Sequence, residues 1–455
     1  MVHARSAWRP RFKPDLPLAL AIAMILLLWV AGGASRAETM GQVVVRAGSW
    51  MILIIGIFFG PRPLLHDARP VLILLVAAIA LPLIQLIPLP PAWWQALPGR
   101  DILLIPGEPI PWRPWTMTPG ATRNALASLI VPATMLLVLV QANERVYRWM
   151  PTILLAMISA AVLLGLLQFS GAAFNSPLLN DTPGVVSSIF ANRNHFALLV
   201  AMGCLVAPVW AFMDREALKW RGPLASGLVL LFILVILATG SRSGMLLGGL
   251  SLCLSLALVG KRLQRRLNRR PKWLFPALIV AAFLVIGGVI ALSFAADRAD
   301  SITRAIALEN SEDMRSRALP TVLSMIGIYM PFGSGFGGFD PVFRIHEPFH
   351  LLKFTYFNEA HNDYLGIALD GGVLAVVVLA AGILWWLIAS IRVWRAKPEE
   401  GVCLGRLGST MILLVLLASI TDYPARTPTI MAILVIAAMW LARSSLTKSQ
   451  TALPA

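Results

Sequence analysis

The chain is short of charge, of cysteine and of long polar stretches. Only 13% of its 455 residues are Asp, Glu, Lys or Arg, against about a quarter in a soluble domain, which excludes a water-soluble enzyme of this length. Its three cysteines, Cys204, Cys253 and Cys403, are scattered. They show no metal-binding spacing and offer no disulfide, and they read as small buried apolar residues. There is no low-complexity linker, no internal repeat and no separate soluble domain, so residues 1–455 read as a single polytopic membrane domain.

What is abundant is apolar sequence, 58% of the chain. Runs of about 17–25 apolar residues read as membrane helices. About twelve are present: Leu16–Ala34, Val43–Gly60, Val71–Leu89, Ala125–Val140, Ile153–Ser170, Phe196–Met213, Leu224–Thr239, Gly244–Val259, Leu274–Phe294, Tyr364–Ile391, Leu407–Ile420 and Thr429–Ala442. The fourth and the last two are short. The expected fold is an all-α integral membrane protein.

A net charge of +16 would suit nucleic acid if it formed a basic stripe on a soluble face, and it does not. Numbering the loops alternately gathers about 24 of the 38 Lys and Arg on one side. That side holds the N-terminal Arg5, Arg9, Arg11 and Lys13, the run from Lys261 to Lys272, and Arg392 to Arg406. Positive residues collect on the cytoplasmic side, so both termini are expected in the cytoplasm and the surplus charge meets anionic lipid headgroups. Ser35-Arg36-Ala37 after the first apolar run resembles a signal-peptide cleavage site. The run is long for a signal peptide, and the first helix is expected to be retained.

Two segments on the opposite, outer side are long. Residues 90–124 are rich in Pro and Trp (Trp93, Trp94, Trp112, Trp115) and read as an interfacial aromatic belt, with a sugar-stacking surface as the sharper reading. Residues 295–363, between the ninth and tenth spans, form a large loop, and loops of that size in compact proteins are usually functional. Within it, Met314, Ala318, Leu319, Val322, Leu323 and Ile326 predict an amphipathic helix over Ser311–Tyr329.

Three motifs mislead. His346-Glu347-Pro348-Phe349-His350 matches the zinc-protease pattern, but Pro348 falls where that chemistry needs a continuous helix; no metal site is expected. Gly333-Ser334-Gly335-Phe336-Gly337-Gly338, with Glu359 downstream, matches a dinucleotide fingerprint without the strand–turn–helix unit that gives the fingerprint its meaning. A turn allowing close backbone approach is the better reading. Asn180-Asp181-Thr182 is a sequon followed by proline, and it carries no argument.

Chemistry is better sought at four places on the outer side. Arg193 opens the sixth span in Ala191-Asn192-Arg193-Asn194-His195-Phe196, and Arg242 sits in the turn Thr239-Gly240-Ser241-Arg242-Ser243-Gly244. Either alone also reads as a snorkelling anchor or a polar turn residue. Together they place guanidiniums where cations are depleted, and arginine binds phosphate bidentately. Arg315 and Arg317 could join them. In His361-Asn362-Asp363-Tyr364, Asn362 suits the N-cap of the tenth span and Asp363 its first turn. That explains Asn and Asp but not His361, whose imidazole can take a proton from an attacking hydroxyl.

These motifs, with the glycine turn and Gly371-Gly372, resemble the O-antigen ligase and polymerase superfamily over roughly Ser187–Val376. The resemblance implies a GT-C-type, metal-independent, inverting glycosyltransferase of the bacterial inner membrane, working at the periplasmic face without a cofactor. It implies an undecaprenyl-pyrophosphate-linked glycan as donor, with Arg193, Arg242 and one of Arg315 and Arg317 on its pyrophosphate and His361 activating the acceptor hydroxyl. The acceptor would be lipid A-core for a ligase, or another lipid-linked glycan for an O-antigen or exopolysaccharide polymerase. A secondary transporter fits the hydropathy too, but should carry midplane charges, and the spans are nearly free of ionisable residues.

Overall fold

The structure is a computed structural model. It describes residues 15–36, 38–172, 176–179, 184–213, 218–267, 311–352, 357–397 and 400–446, with isolated positions 280, 284, 287 and 288. The expected ninth span Leu274–Phe294, the first part of the large loop, the sequon and most of the basic N-terminus lie outside the described residues.

The described chain is built almost wholly of helices: α1 (Leu16–Ala31), α2 (Met40–Phe59), α3 (Arg69–Gln85), α4 (Pro91–Gln95), α5 (Pro119–Ser128), α6 (Ile130–Val140), α7 (Glu144–Phe169), α8 (Arg193–Phe212), α9 (Leu218–Ala238), α10 (Arg242–Leu267), α11 (Ser311–Tyr329), α12 (Phe339–His346), α13 (Asp363–Arg395), α14 (Glu400–Ala418) and α15 (Pro428–Leu446). Among the described residues, eight segments are long and apolar enough to cross a membrane, α5 and α6 counting as one, and α1, α3 and Val402–Ala418 are shorter apolar helices. All of them coincide with expected spans.

Local chemistry sets the helix starts. Asp15 caps α1 by accepting from Leu18 N–H, with Pro17 in the first turn, and Asn143 caps α7 by accepting from Val146 N–H. α8 is apolar around its whole circumference, and such a helix belongs at the centre of a bundle; His195 to Ala211 are buried nearly throughout. α9 and α10 pack on it, α7 and α14 flank it, and α14 pairs along its length with α15. α1, with Leu18, Met24 and Leu28 fully buried, is an integral part of this core.

The Pro/Trp-rich segment is more than a belt. Pro88–Leu89 (β1) pairs antiparallel with Arg113–Pro114 (β2). Trp94 is buried and donates to Pro114 C=O, while Trp93 and Trp112 stay exposed as a belt would have them. Arg100, fully buried, donates to the carbonyls of Pro98, Trp115 and Gly333. Burial pulls its pKa down to about 10. This segment therefore clamps the glycine-rich turn.

α11 has the bounds expected of the amphipathic helix, but its inner face differs. Met314, Ala318, Val322, Met325 and Tyr329 are buried at near-heptad spacing, whereas Leu319 and Leu323 are exposed. The glycine turn docks on a kink in α13. Gly372 sits at φ 60°, ψ −153°, a region essentially closed to residues with a side chain, and a Cβ there would collide with Pro331 C=O. A Cβ on Gly333 would likewise lie 2.6 Å from Asp370 C=O. Gly372→Ala is expected to destabilise the protein by about 1–3 kcal/mol and lower its melting temperature in detergent. An unchanged melting temperature would contradict this packing.

Candidate functional site

His361 lies in the short segment that leads into α13. Asn362 caps that helix through Leu365 N–H at 3.0 Å, and Asp363 accepts from Ser419 Oγ at 2.8 Å and from Ala425 N–H at 3.3 Å. His361 itself adopts φ 47°, one of two non-glycine residues with positive φ among those described. Such strain persists only where surrounding contacts impose it, and it concentrates at functional sites. The imidazole sits between the rings of Phe357 and Tyr423, at centroid distances of 5.2 and 5.1 Å, and its side chain is 16% exposed.

Its partner is Asp422, a residue with no signal in the sequence motifs. Asp422 lies in the turn between α14 and α15 and is 2% exposed. His361 Nδ1 is 3.4 Å from Asp422 Oδ1. Asp422 Oδ2 accepts from Asn192 Nδ2 at 3.0 Å and Asn194 Nδ2 at 2.6 Å, and His195 Nε2 lies 3.8 Å from Oδ1. Burial alone would raise this carboxyl, but hydrogen bonds from His195 and His361 hold it well below the usual carboxylate range. Burial lowers the His361 pKa, with the hydrogen bond to Asp422 acting in the other direction. Both shifts favour an ionised aspartate facing a neutral imidazole. An ionised Asp422 3.4 Å from Nδ1 favours the Nδ1–H tautomer, in which Nε2 is the acceptor.

The arginines divide. Arg315, on α11, donates through Nη1 to Thr421 C=O at 2.9 Å and places Nη2 3.7 Å from Asp422 Oδ2. Arg317 turns away and donates to His350 C=O at 2.9 Å. Arg193 and Arg242 start α8 and α10. These two helix ends are tied together, because Ser241 Oγ donates to Asn194 Oδ1 at 2.7 Å and Asn194 donates in turn to Asp422. Arg193 reaches the same turn, its Nη1 3.6 Å from where a Cβ on Gly240 would stand. The structure therefore sets Arg315 and His361 against Asp422, and Asn194 and Ser241 tie to it the helix starts that carry Arg193 and Arg242, while Arg317 bonds to His350 C=O instead.

A second cluster borders the first. Arg426 lies in the 3-10 turn Pro424–Arg426. It pairs with Glu359 Oε2 at 2.7 Å, Asp370 Oδ2 at 3.3 Å and Asp363 Oδ1 at 3.8 Å. Burial pushes the Glu359 carboxyl up to about 7 despite Arg426 beside it, and the three carboxylates outweigh burial to raise Arg426. The His346–His350 motif has none of the geometry its pattern promises. α12 ends at His346, which bonds to Tyr329 OH at 2.8 Å, and His350 follows on a separate 3-10 turn.

Taken together, fold and site describe an all-α polytopic membrane protein with a buried His–Asp pair and guanidiniums gathered at one end of the bundle. Residues 227–380, about a third of the chain, match the model of the O-antigen ligase family, so this stretch is similar to that family, in a chain with several helices long and apolar enough to cross a membrane. The match takes in Arg242, Arg315, the glycine turn, His361 and the α13 kink, while Arg193, Asp422 and Arg426 lie outside it. No curated protein matches the chain.

Proposed function

We propose that the protein is a periplasmic-face glycosyltransferase. It moves a glycan from undecaprenyl pyrophosphate to a hydroxyl of lipid A-core, as an O-antigen ligase does. The observation that carries this reading is Asp422 standing 3.4 Å from His361 Nδ1 with Arg315 beside it. His361 Nε2 takes the proton of the acceptor hydroxyl. The freed oxygen lone pair forms the new bond to the anomeric carbon as the bond to the pyrophosphate oxygen breaks on the opposite face, so the configuration inverts. The pyrophosphate leaves with that electron pair, and Arg315, Arg242 and Arg193 neutralise the charge that develops on it.

Helix direction supports the periplasmic assignment. α10 and α13 begin at the site and end at Lys261, Arg262, Arg392 and Arg395, and a 26-residue helix is roughly 39 Å long. The basic residues thus gather at the other end of the bundle, where the positive-inside rule puts the cytoplasm.

His361→Ala and Arg242→Ala are expected to insert normally, to abolish transfer and to let lipid-linked glycan accumulate; normal surface polysaccharide in both would sink the proposal. Arg315→Ala is expected to lower transfer by about 10²-fold or more. Arg317→Ala should stay within about threefold of the parent, since its guanidinium faces His350. A deletion strain read on polysaccharide gels separates the acceptors. Loss of every lipid A-attached chain marks a ligase, and capping with a single repeat or loss of free exopolysaccharide marks a polymerase.

A further inference from the structure

A cavity of about 540 Å³ lies beside the His361 segment, lined by Glu359 and Asp363 but not by His361. One wall is apolar, with Leu81 on α3 and Val378 and Leu379 on α13. These helices lie at the outside of the bundle, where Val76, Val373 and Val377 are exposed, so the cavity borders the lipid. The rest of its lining mixes neutral residues with charged ones, and among the described residues it carries five carboxylates and three guanidiniums.

Three buried atoms in this lining have no hydrogen-bond partner among the described residues, and one of them, Glu359 Oε2, is 2.7 Å from Arg426 Nη1 in an ion pair, which leaves two. Asp370 is 1% exposed, and its Oδ2 accepts from Gly337 N–H and Arg426. Its Oδ1 has no hydrogen-bond partner among the described residues. Arg46, on α2, uses Nη1 on Asn124 and Nη2 on Gln42, and its buried Nε–H has none. Unpaired buried polar groups are costly. A cavity holding one lone acceptor and one lone donor calls for a ligand that donates at one point and accepts at another.

We propose that this cavity binds the zwitterionic headgroup of an aminophospholipid. The phosphate accepts from Arg46 Nε, the primary ammonium donates to Asp370 Oδ1, and the acyl chains run along Leu81, Val378 and Leu379. The surplus of carboxylates favours an ammonium over a sugar hydroxyl, which would supply the hydrogen bond but no compensating charge. Because Glu359 and Asp363 flank His361 in the chain, an occupied cavity braces the segment that carries it. The inference concerns lipid binding and stands apart from the proposed transfer reaction.

The test uses the full-length protein in detergent, titrated with short-chain phosphatidylethanolamine and with short-chain phosphatidylcholine, and bound lipid is measured by native mass spectrometry. Phosphatidylethanolamine is expected to bind about tenfold tighter, because the quaternary nitrogen of choline has no N–H to donate. Asp370→Asn is expected to erase that preference. Arg46→Gln, at a partly exposed position, is expected to weaken both lipids about tenfold. Should Asp370→Asn fail to fold, the choline comparison and Arg46→Gln decide. Equal affinity for the two lipids, or unchanged binding in Arg46→Gln, overturns the proposal. Tighter binding of an uncharged glycolipid than of phosphatidylethanolamine also overturns it, and assigns the cavity to sugar hydroxyls.

Discussion

Asp422→Asn is expected to leave the protein in the membrane at normal amounts and to cut glycan transfer by about 10²–10⁴-fold, the range seen when an aspartate that orients a catalytic histidine loses its charge. The substitution preserves shape. An asparagine Oδ1 can still accept from Asn192 or Asn194, so the buried turn between α14 and α15 keeps a hydrogen-bonded core. What it removes is the charge that selects the Nδ1–H tautomer of His361. The pH profile separates this from general damage. A base must be neutral to work, and burial already lowers the His361 pKa below its usual value, so parental activity should rise with pH and level off below neutrality. Without the carboxylate that opposed the lowering, the limb should move to still lower pH while the plateau falls. A variant whose plateau is unchanged, or whose limb moves to higher pH, would remove Asp422 from the proposed role.

Sequence and structure agree where the signal is local. Uninterrupted apolar runs find the spans because a backbone in lipid must satisfy its hydrogen bonds within each helix. Asn362 is legible as a cap because an N-cap needs its own side chain and a neighbouring N–H. The glycine turn is legible as a close backbone approach, though the partner it approaches, the Gly372 kink, becomes visible only in three dimensions. Asp422 is not legible in this way. It follows His361 by 61 positions, sits in Thr421-Asp422-Tyr423 with no motif around it, and reads as one more polar turn residue between two short spans. One signal was available. The spans are nearly free of ionisable residues, so an acid at a membrane boundary on the same side as His361 is uncommon enough to pair with it. Arg315 and Arg317 show the same limit. Two positions apart on a helix is about 200° of rotation, so only one can face the site, and α11 directs Arg315 to Thr421 and Asp422.

Arg426→Ala is expected to have the largest effect on stability, about 3 kcal/mol or more, because one guanidinium serves Glu359, Asp370 and Asp363 together. Its loss deprives three carboxylates of the guanidinium they share and loosens the ties between the α14–α15 turn and the start of α13, the two segments that carry Asp422 and His361. Lysine should restore only part of the stability, since an ammonium is a point charge and cannot fork to three acceptors. The sign of the pH dependence follows from Glu359. Its folded pKa already stands at about 7, above the unfolded value near 4.3, so the contribution it makes is present at acid pH and is lost as pH rises through the folded value. Removing Arg426 takes away the strongest influence holding that pKa down and extends the loss to higher pH. The gap in melting temperature between Arg426→Ala and the parent, measured in detergent, should therefore be widest near pH 8 and narrow toward pH 5. A gap of constant width would show that Glu359 does not carry the penalty. A variant as stable as the parent at pH 8 would show that Arg426 does not bind the cluster together.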